Sequence, residues 1–402
     1  MNLRLARYVD RWIGLGVCFL LWAVARFLSA GRAVPPLLGT TPPREVPGAP
    51  KRVLAIKFYG LGNIAMILPT LQALHGEGED VSIDFLTLPG NVALLEQSGL
   101  VSEARTVDVS GLGAFLTSVL ALIRELREAR YDTVLDFEQF MKLSGIFAFL
   151  TGAPVRVGFN TDGQARGWLY THRIAYADTD HMADIFMRLL LPFDRAVQPA
   201  PRVRIPVAAE ARERARAFLP PGRADAIVFH VGTGPNYGKV ALKRWSTERF
   251  ARLADHLIGS RGVEVVFTGV GEEETALIRE VLSQMRHAQG AHSLCDALGV
   301  DELTGLLESS LFVVSNDTSI MHLAGLVDTP VVAFFGPTEP RLYGPRGPAD
   351  IVFYRGLFCS PCLSNYNLKM SRCVDPVCLK EVSVDEVIAR VEERFPLPTR
   401  AS

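Results

Sequence analysis

Twice along this chain a short apolar run gives way to a glycine-bearing turn and then to helically spaced residues. That repeat limits the fold more than any other feature. Residues 52–57 read as a buried strand, 58–63 as a turn, 64–75 as a helix with Pro69 inside it, and 81–86 as a second strand. Residues 131–138 add a strand that ends in Asp136 and Glu138. Proline-rich, basic sequence around 199–204 and Leu219-Pro220-Pro221-Gly222 breaks the pattern, which then restarts. Strands are expected at 226–230, 264–270, 311–316 and 330–338, with helices at 247–258 and 319–326. Strand, turn, helix, strand predicts parallel sheets and an α/β class. At 402 residues the chain exceeds what one core usually serves. Two α/β domains are therefore expected, at 51–205 and 222–395, facing a central cleft where ligands bind.

Composition narrows the partners. The chain is 49% hydrophobic and 21% charged with a formal net charge of −1, and it has no Lys/Arg-rich block. That excludes a disordered chain and argues against nucleic acid as a partner. An anionic ligand must then be held by local basic groups and helix ends.

Residues 1–30 form a separate case. Residues 12–25 are almost wholly apolar, with Arg4, Arg7 and Arg11 before them and Arg26 after. As a helix this stretch falls short of the roughly 30 Å hydrocarbon core. A helix lying in a membrane interface is expected; a spanning helix and one docked on protein are the alternatives. Residues 31–50 carry six prolines and read as a tether.

Three groups of residues carry chemistry. Gly60-Leu61-Gly62-Asn63-Ile64-Ala65 fits a dinucleotide fingerprint with Asp84 about 20 residues on, which makes an NAD-dependent oxidoreductase one alternative. The same glycines equally permit a tight turn. In the second half, the turn at 231–238 with Thr233 and Gly234 exposes N–H groups that suit phosphate, and Lys243 and Arg244 follow within reach of a diphosphate. Ser246 stands at the N-cap of the next helix. Asp317, Thr318 and Ser319 open the helix at 319–326, whose free N–H groups and dipole favour an anion, and His322 lies one turn behind Thr318 on the same face. Lys142, Arg156 and Arg188, with Arg166 nearby, would suit an anionic acceptor.

At these residues the chain resembles the heptosyltransferases of lipopolysaccharide assembly, glycosyltransferase family 9. The resemblance rests on residues 53–74, 230–245 and 315–345. Its most specific part is Asn316-Asp317-Thr318-x-x-x-His322-Leu323-Ala324, followed by Phe334-Phe335-Gly336-Pro337-Thr338-Glu339-Pro340. It implies a GT-B fold of two Rossmann-like domains, an inverting mechanism, no required cofactor and no catalytic metal. The implied donor is a nucleoside-diphosphate sugar, ADP-heptose among the candidates. The implied acceptor is a lipopolysaccharide core or other glycolipid at the cytoplasmic face of the inner membrane, met by a peripheral or N-terminally anchored chain. Lys243, Asp317, Thr318 and His322 match the family's donor site, and Asp136 matches a strand-ending acid of the acceptor domain. Ser319 stands where a glycine is usual.

One position departs from the family. In its Gly-Asp pair the aspartate is the proposed general base; here the pair is Gly62-Asn63. An amide takes no proton at neutral pH, whereas inverting transfer removes one from the acceptor hydroxyl. Asp136 or Glu138 could take it. Asn63 could instead merely position the acceptor. Or the chain could be a non-catalytic nucleotide-sugar-binding homologue.

Cys359-x2-Cys362, ten residues, then Cys373-x4-Cys378 has a spacing near that of zinc sites. A structural zinc, free or redox-active thiols, and disulfides all remain open for these four.

Overall fold

The computed structural model describes residues 3–28, 50–76, 80–108, 111–218, 226–234, 240–367 and 369–395. The tether expected at 31–50 therefore lies outside the described residues except for Pro50. The chain divides into two units, Met1–Val203 and Arg204–Ser402.

The first unit runs α1 (Leu3–Leu28), β1 (Arg52–Ile56), α2 (Leu61–His75), β2 (Ser82–Thr87), α3 (Val92–Ser98), β3 (Glu103–Thr106), α4 (Leu112–Glu128), β4 (Thr133–Asp136), α5 (Lys142–Leu150), β5 (Val155–Asn160), β6 (His172–Ala175) and α6 (Met182–Met187). Its sheet has the order β3-β2-β1-β4-β5-β6, and every neighbouring pair is parallel. Val53, Leu54, Ala55 and Ile56 have no exposed surface. A strand with both faces covered reads as an unbroken apolar run, which is why periodicity located it.

The second unit runs α7 (Ala209–Ala217), β7 (Ala226–His230), α8 (Thr247–His256), β8 (Glu264–Phe267), α9 (Gly271–Gln284), β9 (Ala291–Ser293), α10 (Val300–Glu308), β10 (Val313–Asn316), α11 (Ser319–Leu326), β11 (Val331–Phe334), α12 (Pro340–Tyr343), β12 (Ile351–Phe353), α13 (Val377–Lys380) and α14 (Val384–Arg394). Its sheet order is β12-β11-β10-β7-β8-β9, again all parallel. Trp245 is buried here and stacks on Phe334 with ring centroids 4.2 Å apart.

Both sheets have the same wiring. In each unit the chain reverses its direction of travel between the first and fourth strands: β1 and β4 in one, β7 and β10 in the other. In doubly wound sheets, ligands bind beyond the carboxyl ends of the strands at that reversal. This fixes in advance which loops matter: 57–63 and 136–142 in the first unit, 231–234 and 316–319 in the second.

Several element ends differ from expectation. Strand pairing along 131–138 stops at Asp136, because the Glu138 carboxylate turns back to accept the Phe58 N–H at 2.9 Å. Helix α2 starts three residues early, since Gly60 takes the positive φ of 96° that ends the turn. A Cβ there would stand 2.6 Å from the Asn63 side-chain nitrogen, so the position suits glycine. Ser246 does occupy the N-cap of α8, but its hydroxyl makes no capping bond.

The N-terminal helix belongs to the first unit. The Asp10 carboxylate accepts the N–H groups of Lys142, at 2.9 and 3.1 Å, and of Leu143, at 2.9 Å. It thereby caps α5, whose own N-cap residue, Met141, makes no side-chain bond. Cys18 is wholly buried, and burial pushes its thiol up to about 11. Among the described residues no helix is long and apolar enough to cross a membrane, so the spanning alternative is corrected. α1 is docked on protein along one side.

Candidate functional site

In the second unit, the reversal point gathers most of the residues that sequence singled out. Asn316 ends β10 with no exposed surface. Its side-chain nitrogen donates to the carbonyls of Val231, at 2.9 Å, and Gly232, at 3.2 Å, while its oxygen accepts the Trp245 N–H at 2.8 Å. One amide thus ties the turn after β7 to the segment that carries Lys243. A buried amide with all these bonds made is costly to disturb.

Asp317 follows, 6% exposed. Lys243 Nζ donates to its backbone oxygen at 2.7 Å and to Oδ2 at 3.1 Å, and the Thr338 hydroxyl donates to Oδ2 at 2.7 Å. Burial alone would raise the Asp317 carboxyl. The Lys243 charge and the Thr338 hydroxyl, with Lys369 further off, outweigh it and hold the group below its usual range. Asp317 is therefore an anion that fixes a lysine. Thr318 is the N-cap of α11 in extended conformation, Ser319 opens the helix, and His322 stands half-buried on its second turn.

The turn after β7 is shaped by an acid from α9. Glu274 is 5% exposed; Oε1 accepts the Gly234 N–H at 2.9 Å and Oε2 accepts the Val270 N–H at 2.8 Å. A Cβ on Gly232 would meet Glu274 Oε1 at 1.9 Å, so any side chain there would displace the Glu274 carboxylate that bonds Gly234. Between the two glycines the Thr233 hydroxyl is buried with no hydrogen-bond partner. Buried hydroxyls are normally paired, so this one has a donor to offer at the reversal point. Burial also holds the nearby His230 below its usual value, hence neutral at pH 7. Arg244 pairs with Glu273 at 2.5 Å rather than pointing with Lys243 at Asp317. Residues 235–239 of the expected turn lie outside the described residues.

In the first unit the reversal point holds two acids with different surroundings. Asp136 has no exposed surface: Oδ2 accepts Arg166 Nη2 at 2.7 Å and the Tyr170 hydroxyl at 2.6 Å, and Oδ1 accepts the Glu138 N–H at 3.0 Å. Burial pushes its carboxyl up, and the Arg166 charge offsets this only in part. Arg166 is equally enclosed and also reaches the Ser144 hydroxyl at 3.1 Å. This is a closed buried pair, the arrangement of a structural ion pair. Glu138 is 6% exposed, and its Oε2 accepts Lys57 Nζ at 2.9 Å. Burial would raise the Glu138 carboxyl, but Lys57 and the Phe58 N–H pull it below its usual range. Lys57 Nζ also reaches Gln139 Oε1 at 3.2 Å, and the Gln139 side-chain nitrogen is buried without a partner.

Other expected residues are placed elsewhere or otherwise engaged. Gly62 is buried in the first turn of α2, and the Asn63 side chain donates to the Tyr59 carbonyl at 3.2 Å. Lys142 is 4% exposed and donates to Gln164 Oε1 at 3.1 Å. Arg156 stands second in β5, at the amino edge of a parallel sheet and so opposite the ligand edge. Its guanidinium donates to the carbonyls of Leu169, at 2.9 Å, and Ala153, at 2.5 Å. Burial lowers it to about 10. Arg188 pairs with Asp180. The acid of the dinucleotide fingerprint, Asp84, is 4% exposed and accepts the Tyr131 hydroxyl at 2.5 Å. It is spent inside the sheet and is not presented to a ribose.

All six cysteines are free thiols. Among the described residues no group of three His, Cys, Asp or Glu side chains is arranged to hold a metal ion.

Sequence reasoning missed Lys57, Thr338, Lys369 and Glu274. Thr338 stood in view, in the Phe-Phe-Gly-Pro-Thr segment after β11. Lys57 directly follows β1, where a charge closing an apolar run was the available signal.

Comparison with known proteins gives the family and the fold. The family model of glycosyltransferase family 9 (heptosyltransferase) matches residues 119–370. Lipopolysaccharide heptosyltransferase 3 of Escherichia coli is 22% identical over 359 residues, covering 86% of this chain and 98% of that protein. A solved glycosyl transferase family 9 structure from Veillonella parvula aligns with a TM-score of 0.70 at 22% identity, covering 85% of this chain and 96% of its own. That of the E. coli ADP-heptose lps heptosyltransferase II aligns with a TM-score of 0.69 at 21% identity, covering 85% and 98%. At these identities the structures speak for the fold, two parallel six-stranded units as in GT-B heptosyltransferases. The matched stretch contains the Gly232–Gly234 turn, Lys243, Asp317, Thr318 and His322, and the chain belongs to glycosyltransferase family 9: it is a glycosyltransferase.

Proposed function

We propose that this chain moves a heptose or similar sugar from a nucleoside-diphosphate donor to the core of a lipopolysaccharide or a related glycolipid, with inversion at the anomeric carbon. The donor named for the E. coli relative, ADP-heptose, is the first to try. The work takes place where such an acceptor is assembled, at the cytoplasmic face of the inner membrane.

One observation carries the reading: the reversal point of the second unit combines a lysine fixed by Asp317, the amino end of α11 and an unpartnered Thr233 hydroxyl. Each suits an anionic diphosphate. As the glycosidic bond to the diphosphate breaks, negative charge grows on the leaving oxygen. Lys243 and the helix end stabilise that charge without having to reorganise. Thr233 donates to a phosphate oxygen, and Thr318, Ser319 and His322 complete the donor wall.

The acceptor hydroxyl forms the new bond to the anomeric carbon and gives up its proton. Asn63 cannot take it. Glu138 is the proposed proton acceptor: Lys57 keeps it ionised, and each carboxylate oxygen retains a lone pair beyond its single bond. Asp136, with no exposed surface and its Oδ2 bonded to both Arg166 and Tyr170, is assigned to holding β4 and Arg166 in place.

The test measures binding and transfer separately. Thermal-shift titration with ADP and with ADP-heptose should stabilise the protein, and transfer to a core acceptor should follow in a product assay. Glu138→Gln should keep the thermal shift and lose transfer. No shift with any nucleoside diphosphate would overturn the donor site, and full transfer by Glu138→Gln would overturn the proton acceptor.

A further inference from the structure

The loop that follows β12 is bonded along the segment that carries Thr338. The backbone N–H groups of Cys362 and Leu363 both donate to the Pro337 carbonyl, at 2.9 and 2.8 Å. Pro337 precedes Thr338, whose hydroxyl bonds Asp317. Further along, the Asn365 side-chain nitrogen donates to the hydroxyl of Tyr343, the last residue of α12, at 2.6 Å. Asn367 braces the loop from within: its Oδ1 accepts the Ser364 N–H at 2.9 Å, and its Nδ2 donates to the Cys362 carbonyl at 2.9 Å.

This loop brings Lys369, which is half-buried, to the wall that holds Asp317. The Lys369 ammonium stands over the Tyr343 ring, 4.7 Å from its centroid and within cation–π range. Its charge bears on the Asp317 carboxyl and helps to hold that group low. The backbone reaches this placement against its preference. Lys369 has a φ of 58°, in the left-handed region, and its N–H donates to the Ser364 carbonyl at 3.0 Å. Glycine or asparagine adopts that conformation more readily than lysine.

The charges at the wall leave work for such a residue. Lys243 is matched by Asp317, and Arg244 by Glu273, before any ligand arrives. The amino end of α11 contributes only a partial charge, about half a unit. Each phosphate of a nucleoside-diphosphate sugar carries negative charge, and the departing diphosphate gains more as the glycosidic bond breaks. Lys369 adds a further full positive charge on the same wall.

We propose that Lys369 is a second cation of the donor site, donating from Nζ to the diphosphate alongside Lys243. This role rests on the reading of the wall as a nucleoside-diphosphate site, and its test separates the two. The full-length chain is titrated calorimetrically with ADP, GDP and UDP, and the tightest of them is carried to Lys369→Met and Lys369→Arg. Lys369→Met should weaken binding about tenfold, the low end for a bond to a charged group, because the side chain is only half-buried. Lys369→Arg keeps the charge and should keep most of the affinity. Added salt should weaken binding less in Lys369→Met than in the parent, since one ionic contact is gone. Unliganded melting should stay close to the parent in both variants. If no nucleoside diphosphate binds the parent, the donor reading fails and this role with it. If one binds the parent and Lys369→Met equally, the role of Lys369 alone is overturned. It is overturned too if Lys369→Arg loses as much affinity as Lys369→Met, or if Lys369→Met melts well below the parent without ligand. Either result would mean that the side chain shapes the loop and does not hold the diphosphate.

Discussion

Replacing Asp136 with asparagine separates a structural acid from a chemical one. Asp136 and Arg166 have no exposed surface, and their bond is 2.7 Å long. Removing one partner of a buried ion pair leaves the other charge desolvated and uncompensated, which costs about 3–5 kcal/mol. Asparagine keeps the shape and one oxygen that can still accept from Tyr170, so the low end, about 3 kcal/mol, is expected. In a unit of this size each kcal/mol moves the midpoint by roughly 2–4 °C, giving a fall of roughly 6–12 °C. Calorimetry on the full chain reads the shift. The double variant Asp136→Asn, Arg166→Met should recover part of the loss, because it removes the stranded charge, and the resulting cycle gives the coupling directly. Transfer measured well below the new midpoint should persist. If Asp136→Asn unfolds at the parent temperature but abolishes transfer, the acid acts on substrate and its assignment as a structural residue is wrong.

Three further outcomes follow from the second unit. Lys243→Ala should weaken nucleoside-diphosphate binding by roughly 10- to 150-fold in titration calorimetry, the worth of a charge-assisted bond; unchanged affinity would remove Lys243 from the donor site. Thr233→Val should weaken the same binding only roughly 2- to 10-fold and leave unliganded stability equal or higher, since the hydroxyl it deletes has no partner; a large loss of stability would mean the hydroxyl is bonded after all. The Asp317 carboxyl is lower in the folded chain than in the unfolded one, so its contribution is present above the ordinary aspartate value of about 4 and is lost as pH falls through the folded value. Acid titration of stability should therefore be flatter below about pH 4 in Asp317→Asn than in the parent, and parallel curves would contradict the cited shift.

What sequence made legible depended on how local the signal was. Helix α11 was bounded correctly at Ser319–Leu326, because Asn-Asp-Thr places its start and the apolar spacing carries it. The strands were found through unbroken apolar runs, yet their ends were set by bonds to distant residues, as when Glu138 leaves β4 to reach Phe58. Asp136 was read as an available acid because its partner, Arg166, lies thirty residues on behind a turn. Arg156 was read as a ligand-side cation although it stands at the amino edge of its strand; sequence gives strand position only once the strand's first residue is known. The pairing of Lys57 with Glu138 joins β1 to β4, a neighbour relation that sheet order alone reveals.

The cap that Asp10 places on α5 spans 132 residues of sequence. During synthesis at about 5–20 residues per second, α1 therefore leaves the ribosome roughly 7–26 s before its docking site exists. Through that interval the side of the helix that buries Cys18 in the finished unit has nothing to pack against. The later arrival of Lys142 and Leu143 then gives the Asp10 carboxylate its partners and turns that side of the helix inward.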